Sequence, residues 1–564
     1  MKTRQRNRSA RMGVARMGVA GGFDADLRGM RKSALALAVL GLFGGLCGEA
    51  QAGSVDFGNN TAMQYTVTLN YALGLRLKNP SDSLVNGPVS PTTGLPSTIN
   101  ADDGDRNFRS GSLINNRISA RLEADLRHDN YGVFVRGDGF YDQAYHHPND
   151  NDSPGTINKA GPNSEFSADA KYFQGNRARL LDAYAYGEWR LGGTDLNVRA
   201  GRQLVAWGES LFFPNISGAQ GPADATRANI PGTEVKDILL PVNQGLATLA
   251  VTKDLSLLGY YQFQYRPTEL DPVGDYFSYT DVVGPGAEFI HAFALAPGVT
   301  YKIPRGGDLM PSDFGQWGLG LRYSLGAFTE LGFYQLRYHN KTPSVITNFG
   351  PVTLAPGAPP AILPTSYNIA YADGIDLTGV SVSSSIGPVN VAGEVSYKDG
   401  VPLLVNTAAG PTASPGKATQ AQVSAIYIVG PSFLAREIDL VGEAVYLHVN
   451  GVDAVGGSTS LSATKNAWAY EGSATFNYPN VFNGWDLAVP LTWAHAVTGT
   501  AAVAGAFGSL VGHGDQRASV GLTFTYLSRL EVATSYNAFL GSANPATHPL
   551  ADRDYVALNL KYRF

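Results

Sequence analysis

The side chains of this chain most able to bind a solute are charged residues of both signs that alternate with apolar residues. Eleven of them lie between residues 117 and 199: Arg117, Arg121, Glu123, Asp125, Arg127, Arg136, Asp138, Asp182, Glu188, Arg190 and Arg199. Opposite charges on neighbouring strands can pair. Two interpretations stay open. The cluster either rigidifies a water-filled wall or forms a selectivity ladder for a polar or amphipathic solute.

A second candidate region is the long connection that follows the sequence Gly201–Ser210. Its part between Pro222 and Pro241 is predicted to fold inward as a constriction, with Thr233 capping a short helix. The residues expected to form it are Glu234, Val235, Lys236, Asp237, Ile238 and Leu239. The three apolar members would line an apolar path, while the charged members would face Arg117, Arg121 or Arg199. The alternative is an ordinary external loop.

Nothing in the sequence indicates catalysis, and two segments give only weak hints of metal binding. None of the nine histidines lies in a Ser or Asp setting typical of a hydrolase. His146-His147 beside Asn149–Asp152 is typical of a solvated loop, and Asp102-Asp-Gly-Asp105 lacks the spaced oxygen ligands and terminal Glu of a calcium loop. We therefore expect no enzyme activity, no cofactor and no metal.

The elements that position these residues are β-strands with one apolar face. From Asn116 to Arg127 every second residue is apolar and every intervening residue is polar, and the same period of two recurs from Leu181 to Leu191 and from Arg517 to Tyr526. Turns of two or three residues, such as Gly192-Gly193, join some of these strands. This pattern predicts β-hairpins with one face on hydrocarbon and one on a wetter space.

The remaining connections are long and rich in Pro, Gly, Asn and Asp, and we place them at 79–109, 142–177, 207–245, 266–300, 340–367 and 398–418. Alternating short and long connections are typical of a transmembrane barrel with periplasmic turns and external loops. At roughly 28–32 residues per strand and loop, the chain predicts about 16 to 18 antiparallel strands. The predicted fold class is an all-β outer-membrane barrel that forms one domain over residues 53–564.

The N-terminus has the organisation of a secretory signal peptide. Met30-Arg-Lys precedes an apolar run to Leu46 and then Ala50-Gln-Ala52, which predicts cleavage after Ala52. Residues 1–29 are either an extended n-region or follow a start codon placed too early, with Met30 the true start. The only cysteine, Cys47, follows Leu46 instead of a small residue, so lipidation is not expected, and the mature chain would contain no thiol.

The charge of the predicted mature chain excludes nucleic acid as a partner. Residues 1–52 hold nine Lys or Arg and three Asp or Glu, so residues 53–564 keep 33 basic and 44 acidic side chains and a net charge of −11. Basic residues are scattered instead of clustered, which does not suit a phosphate backbone.

The last nine residues also alternate, with Val556, Leu558, Leu560, Tyr562 and Phe564 apolar. This ending, with Tyr562 and the final Phe564, resembles the C-terminal signal of bacterial outer-membrane barrels. The resemblance implies recognition by the barrel-assembly machinery and a place in the lipid of the outer membrane.

Several short motifs together resemble a proteobacterial outer-membrane family named domain of unknown function 1302. They are Gly201-Arg-Gln, Trp207-Gly-Glu-Ser210, Pro231-Gly-Thr-Glu-Val-Lys236, Leu240-Pro241, Tyr261-Gln-Phe263, Thr268-Glu-Leu-Asp-Pro272 and Val283-Gly-Pro-Gly286. The resemblance runs from about residue 53 to the C-terminus. It implies an outer-membrane barrel, and two partners are implied: a periplasmic lipid-carrier-like protein and an inner-membrane resistance-nodulation-division transporter. The family offers no catalytic residues.

These observations favour a barrel that passes or hands over a hydrophobic or amphipathic small molecule. A general diffusion porin for polar solutes is the first alternative, supported by the charged strands. A surface interaction protein that uses its long loops is the second, and an outer-membrane hydrolase is the last.

Overall fold

A computed structural model describes residues 53–564, and they form a closed antiparallel β-barrel of 18 strands. The predicted signal peptide, residues 1–52, and Cys47 with it lie outside the described residues. The strand number agrees with the range expected from sequence, and a ring of this size is wide enough to enclose a lumen.

The wall strands follow one another around the barrel in chain order. They are β2 (Thr61–Arg76), β3 (Leu113–His128), β4 (Tyr131–Asp142), β5 (Asn176–Leu191), β6 (Thr194–Gln203), β7 (Val242–Ala250), β8 (Leu255–Gln262), β11 (Gln316–Leu325), β12 (Thr329–Tyr338), β15 (Ile375–Ile386), β16 (Val389–Thr407), β17 (Gly410–Val429), β18 (Glu437–Val452), β19 (Asn466–Phe482), β20 (Trp485–Thr498), β21 (Gln516–Tyr526), β22 (Leu530–Leu540) and β23 (Tyr555–Arg563). Five further strands stand outside this ring: β1 (Gly53–Gly58), β9 (Phe289–Ala296), β10 (Val299–Pro304), β13 (Ser344–Val352) and β14 (Ala361–Ala370).

The ring closes where β23 pairs with β2. Residues Thr68–Arg76 of β2 pair with β23, and the remaining edge of β2 pairs with β1, in which Gly53 lies opposite Tyr65. The Phe564 N–H donates to the Val67 carbonyl oxygen at 2.9 Å. β1 therefore continues the line of β23, and together they cover the edge of β2.

The period of two seen in the sequence corresponds to the two faces of the wall. On β3, Ile118, Leu122 and Leu126 are exposed on the outside, whereas Arg117 and Arg121 are buried inside. On β23, Leu558, Leu560 and Tyr562 face outward, and Asn559 and Lys561 are buried. The outer apolar surface is the one that meets hydrocarbon in a transmembrane barrel. Within residues 53–564 no helix combines the length and the apolar character needed to cross a membrane.

Short and long connections alternate between the two ends of the barrel, as expected. The region predicted as a loop at 398–418 is the exception, because β16 and β17 continue through it as one long hairpin that turns at 408–409. The backbone groups of this region are paired between β16 and β17, and a bulge near Gly400 accommodates the change of register. Long connections at 453–465, 499–515 and 541–554 were not predicted.

The connections at the long-loop end carry only short helices and two hairpins. The hairpins are β9–β10 and β13–β14. The helices are Asp82–Val85, Asp103–Arg106, Gln143–His146, Ala168–Ala170, Lys171–Gly175, Ser217–Ala219, Ala225–Ala228 and Val235–Ile238. None of these exceeds five residues, so packing and side-chain pairing hold the loops in place, since helices this short are not stable alone.

A bulge in β5 changes the expected alternation. The register between β4 and β5 shifts between Val135 and Gly137, which leaves Leu181 and Asp182 together opposite Arg136. Leu180 is then exposed on the outer face, while Leu181 is fully buried on the inner side. The outward placement that the sequence predicts for Leu181 is therefore wrong, because a bulge inserts one residue without a signature in the hydrophobic pattern.

Candidate functional site in the barrel lumen

The connection between β6 and β7, residues 204–241, lies inside the barrel, and we call it the lumen segment. Its second part contacts the inner faces of β23 and β2–β6, which we call the charged half. Its first part contacts the inner faces of wall strands β7 to β20, which we call the apolar half. One segment of 38 residues thus spans the bore between two chemically different walls.

Arg121 on β3 is the centre of the contacts with the charged half. Its guanidinium lies 2.6 Å from the Asp237 carboxylate and 3.2 Å from that of Glu234. Lys236 Nζ lies 2.9 Å from Glu123, the neighbour of Arg121 on the same strand face. All five side chains are largely withdrawn from water, so these pairs are stronger than exposed ones. They fix the helix Val235–Ile238 against the wall.

Strand β4 contributes a second anchor. Arg136 Nη2 lies 2.6 Å from the Asp182 carboxylate on β5, and both side chains are 1% exposed. Arg136 Nη1 also donates to the Lys236 carbonyl oxygen at 2.8 Å. The guanidinium therefore holds the wall and the lumen segment together at one point.

Strand β23 closes the same network from the other side. Glu234 accepts from Arg563 at 3.1 Å and lies 3.6 Å from Lys561 Nζ. Asn559 donates to Asn70 on β2 and to the Pro231 carbonyl oxygen. The seam of the barrel is thus bridged by the lumen segment.

The other candidates of the charged wall lie apart from this centre. Arg117 pairs with Asp142 at 3.0 Å and donates to Gln174, above the lumen segment. Asp125 accepts from Tyr186, and Glu188 accepts from Asn197, nearer the short turns. Arg199 lies on the same stretch and contacts Asn197 at 3.4 Å. Of the arginines expected to face the charged residues of the lumen segment, Arg121 pairs with Glu234 and Asp237, whereas Arg117 pairs with Asp142.

Two candidates lie at the rim of the barrel. Arg190 pairs with Asp195 across a hairpin turn, and its side chain is 77% exposed. Arg127 is also exposed and donates to the Asp129 carbonyl oxygen in its turn. The period of two would place both side chains on the inner face of the strand. Because they lie next to the turns, however, they are exposed to solvent.

The constriction residues form one helical turn with a different cap from the one expected. The N-cap is Glu234, not Thr233, and Glu234 and Asp237 form a reciprocal capping box. Val235 is 72% exposed, and Ile238 and Leu239 are half-buried, so the apolar members do not form a dense packed cluster. The acidic pair forms the cap because its carboxylates also meet the wall arginine.

The sequence reasoning missed a second set of charges that brace the segment. Asp138, one of the eleven charged candidates from the sequence, lies 2.9 Å from Arg179 on β5 and 2.5 Å from Arg227 in the lumen segment. Arg179 also lies 2.5 Å from Asp224. Arg179 was overlooked because the bulge at Leu181 displaces the alternating pattern by one residue. Arg-x-Arg at 177–179, before an apolar pair, is the signal that would have revealed it.

The connection after β8 supports the lumen segment from above. Glu269 forms a bidentate pair with Arg177 at 2.6 and 3.0 Å and lies 2.7 Å from Arg266. Its backbone N–H donates to the Ala223 carbonyl oxygen, and the Ala225 N–H donates back to the Glu269 carbonyl oxygen. The region around 268–272, singled out from sequence, therefore braces the segment.

The apolar half was not expected from sequence. Its inner surface is built from residues that are at most 1% exposed, including Leu336, Leu377, Leu403, Leu447, Ala469 and Ala496. Phe213 and Ile216 of the lumen segment pack on this surface. The Trp207 ring meets Tyr260 edge-on and stacks with Tyr334, at centroid distances of 5.0 and 6.0 Å. This half of the barrel has a packed hydrophobic core in place of a hydrated wall.

Two carboxylates on the apolar half hold the backbone of the segment. Glu443 on β18 accepts from the N–H groups of Leu211, Phe212 and Phe213 at 3.1, 2.6 and 2.8 Å. Glu394 on β16 accepts from the N–H groups of Glu209 and Ile216 at 2.6 and 3.2 Å. Charged acceptors satisfy backbone donors that would otherwise be buried without partners. No sequence pattern indicated these two residues.

A second connection contributes to the same core. Residues 499–515, between β20 and β21, place Phe507 and Leu510 in the cluster, and Phe507 meets Phe213 with ring centroids 6.3 Å apart. The lumen segment is therefore covered on the long-loop side by another part of the chain.

A cavity of about 410 Å³ lies at the short-turn end of the apolar half. The apolar part of its lining includes Leu211, Phe328, Val391 and Ile426, and the polar part includes Glu209, Glu330 and the serines of the sequence Ser383–Ser385. The size falls in the range of small-molecule sites. The lumen segment forms one wall, so any movement of the segment changes the cavity.

The two residues of the expected assembly signal lie at the end of β23. Tyr562 is 37% exposed on the outer face, and its ring meets that of Phe564 edge-on with centroids 4.6 Å apart. Their placement at the barrel seam is a structural fact, and recognition by the assembly machinery stays a prediction.

Comparison with known proteins places this geometry in a family. The family model described as "Protein of unknown function (DUF1302)" matches residues 33–564. The chain belongs to this family. In this member of DUF1302, the motifs Trp207–Ser210 and Pro231–Lys236 both lie in the lumen segment, one on each half of the barrel.

Several solved structures align with most of the chain at low sequence identity. Acinetobacter baumannii OccAB2 is 12% identical, with a TM-score of 0.39 over 90% of this chain and 99% of that one. Acinetobacter baumannii OccAB1 is 10% identical, with a TM-score of 0.42 over 91% and 99%. Pseudomonas aeruginosa OccK2 (OpdF) is 12% identical, with a TM-score of 0.40 over 89% and 97%. No curated protein matches the chain.

Proposed function

We propose that this DUF1302 barrel lies in the outer membrane and passes or hands over a hydrophobic or amphipathic small molecule. The observation that carries the proposal is the apolar half, whose inner surface is covered by Phe213, Ile216 and Trp207 instead of water. A diffusion channel for polar solutes requires a hydrated polar lumen. A wall of buried leucine and alanine offers a path to an apolar molecule once the segment moves aside.

The cavity at the short-turn end supports the same proposal. Its lining combines apolar side chains with serine hydroxyls and carboxylates, which suits a molecule with one apolar and one polar end. It lies at the end expected to face the periplasm, where a soluble carrier would exchange cargo. We propose a periplasmic lipid-carrier-like protein as that partner, coupled to a resistance-nodulation-division transporter.

The general diffusion porin remains the second candidate because of the charged half. Its charges, however, are engaged with one another: Arg136 with Asp182, and Arg179 with Asp138 and Asp224. A selectivity ladder needs charges that a passing solute can reach. Buried pairs of this kind favour a role in holding the lumen segment.

Planar-bilayer recording of the refolded protein, with and without hydrophobic solutes, tests the proposal. We expect a low ion current and a further reduction when a hydrophobic solute enters the lumen. Intact cells that express the protein should also take up a hydrophobic fluorescent probe faster than cells without it. A large, stable ion current that hydrophobic solutes do not alter would overturn the proposal and favour the porin.

A further inference from the structure

Three carboxylates from two distant loops meet at the long-loop end of the barrel. Asp102 and Asp103 come from the connection between β2 and β3, and Asp281 comes from the connection after β8. One carboxylate oxygen of each lies within 4.8 Å of the others, and all three side chains are at most 1% exposed. Like charges buried this closely repel one another unless a cation or a proton neutralises them.

Not every oxygen atom of these carboxylates accepts a hydrogen bond. Asp102 Oδ2 accepts from Arg106 Nε at 2.6 Å, and Asp281 Oδ2 accepts from the Asp103 N–H at 3.1 Å. Asp102 Oδ1 and Asp281 Oδ1 are buried and have no hydrogen-bond partner among the described residues. A buried carboxylate oxygen without a partner is costly, and an ion or a water molecule can satisfy it.

A neutral oxygen belongs to the same neighbourhood. The Asn158 N–H donates to Asp103 Oδ2 at 3.2 Å, and the Asn158 side-chain nitrogen donates to Asn100 and to the Phe289 carbonyl oxygen. Asn158 Oδ1 is also buried without a partner among the described residues. A third loop, between β4 and β5, therefore brings Asn158 into contact with Asp103.

Nearby cations do not saturate the three carboxylates. Arg106 pairs with Asp102 and also donates to the Val85 carbonyl oxygen, and Lys159 Nζ donates to the Pro162 carbonyl oxygen at 2.6 Å. Arg553 is engaged with Asp105 and with carbonyl oxygens of the loop after β8. The unpaired negative charge is therefore costly without a further cation.

We propose that Asp102, Asp103, Asp281 and Asn158 form a Ca²⁺ site that fastens three external loops to one another. All donors are oxygens, which a hard divalent cation requires, and their irregular placement suits Ca²⁺ better than the strict octahedron of Mg²⁺. Asp105, the last residue of the acidic motif, is not part of the site because it pairs with Arg76 at 2.8 Å. The motif alone lacks the ligand spacing, and the fold supplies Asp281 from 178 residues away.

Calorimetric titration of the refolded full-length barrel tests the site. The protein is prepared in detergent without lipopolysaccharide, stripped with a chelator and titrated with Ca²⁺, and separately with Mg²⁺. We expect one saturable Ca²⁺ site per chain, at least tenfold tighter than Mg²⁺. Ca²⁺ should also slow proteolysis within residues 143–175.

The variant Asp281→Asn keeps the shape of the side chain and removes its charge, so we expect Ca²⁺ affinity to fall at least tenfold. Asp373→Asn, an exposed carboxylate in another external loop, is the matched control and should bind like the wild type. Asp102→Asn replaces Asp281→Asn if the latter gives no heat-modifiable barrel. Absence of saturable binding in the wild type, or unchanged affinity in the folded variant, would overturn the proposal and indicate protonated carboxylates.

Discussion

The two halves of the barrel hold the same lumen segment by opposite physical means. The charged half uses ion pairs, such as Arg121 with Asp237 at 2.6 Å, whereas the apolar half uses packing around Phe213 and Ile216. Ion pairs are directional and depend on both partners, while apolar packing depends on area and tolerates sliding. This difference indicates that the part of the lumen segment held by ion pairs stays in place, and that the part held by apolar packing can move.

The charged half acts as the fixed end. Its pairs connect β3, β4 and β23 to a single helical turn, so displacement of that turn would expose several buried charges at once. On the apolar half, only Glu394 and Glu443 restrain the backbone with charge. We therefore expect residues 205–219 to leave the wall when cargo passes, with residues 222–241 as the pivot.

The largest effect should follow from breaking the buried pair of the charged half. Arg136→Ala leaves the Asp182 carboxylate buried without its partner, and such losses cost about 3–5 kcal/mol. Urea unfolding of the refolded barrel in lipid measures the change in free energy. Arg190→Ala removes a solvent-exposed pair and is the control, with no measurable change expected. Equal stability of the two variants would show that the Arg136 pair does not hold the segment.

The next effect distinguishes the outer face from the inner face of one strand. Leu122→Arg puts a charge against hydrocarbon and should cost roughly 2–4 kcal/mol if residue 122 lies near the bilayer midplane. Asp125→Asn, three residues along the strand on the inner face, keeps an acceptor for Tyr186 and should leave folding nearly intact. The same unfolding experiment compares them. Similar losses from both substitutions would mean that the orientation of β3 is wrong.

A smaller effect concerns the restraint of the apolar half. Glu443→Ala removes the acceptor of three backbone N–H groups, so residues 211–213 should detach more often. A Ser217→Cys probe should then react with a small thiol reagent several-fold faster. Asp439→Ala lies on the same strand and binds Asn477 instead of the segment, so it serves as the control. No difference between the two backgrounds would mean that Glu443 does not restrain the segment.

The smallest expected effect is a difference in the rate of cysteine labelling, which tests whether the fixed end lies inside the barrel. A cysteine at Val235 or Ile238 should react more slowly with a bulky impermeant maleimide in intact cells than one at Ala358, on the exposed tip of the β13–β14 hairpin. Residue 235 is exposed to the lumen, so small reagents should reach it readily. Equal rates with the bulky reagent would place the segment outside the barrel.

How far sequence predicted this structure depends on the type of interaction. Alternation located the outer face of β3 and β23 because contact with hydrocarbon constrains every second residue in the same way. The approach of Glu234, Lys236 and Asp237 to the wall was also foreseeable, since opposite charges occur in both.

The rest depended on geometry that a single sequence does not encode locally. The bulge at Leu181 brought Arg179 inward, and a turn position left Arg190 in solvent. The apolar half escaped notice because its inner faces are not polar. Leu403 is followed by the equally apolar Leu404, and around Leu447 the apolar side chains face inward while His448 and Asn450 lie on the other face. Glu394 and Glu443 accept hydrogen bonds from backbone N–H groups, and a pattern of side chains in the sequence cannot predict such contacts.

A reversible cross-link between the lumen segment and the apolar half tests the central claim most directly. A Cβ built on Gly379 of β15 would lie 3.0 Å from Ile216 Cγ1, so cysteines at 216 and 379 would have Cβ atoms within about 4.5 Å, the range of a disulfide. The predicted mature chain carries no other thiol.

Uptake of a hydrophobic probe by intact cells is then compared for Ile216→Cys/Gly379→Cys and for each single variant, before and after reduction. We expect the oxidised double variant to lose uptake, reduction to restore it, and both single variants to be unaffected by the reductant. Full cross-linking with undiminished uptake would contradict the account, because the cargo would then pass without movement of the segment.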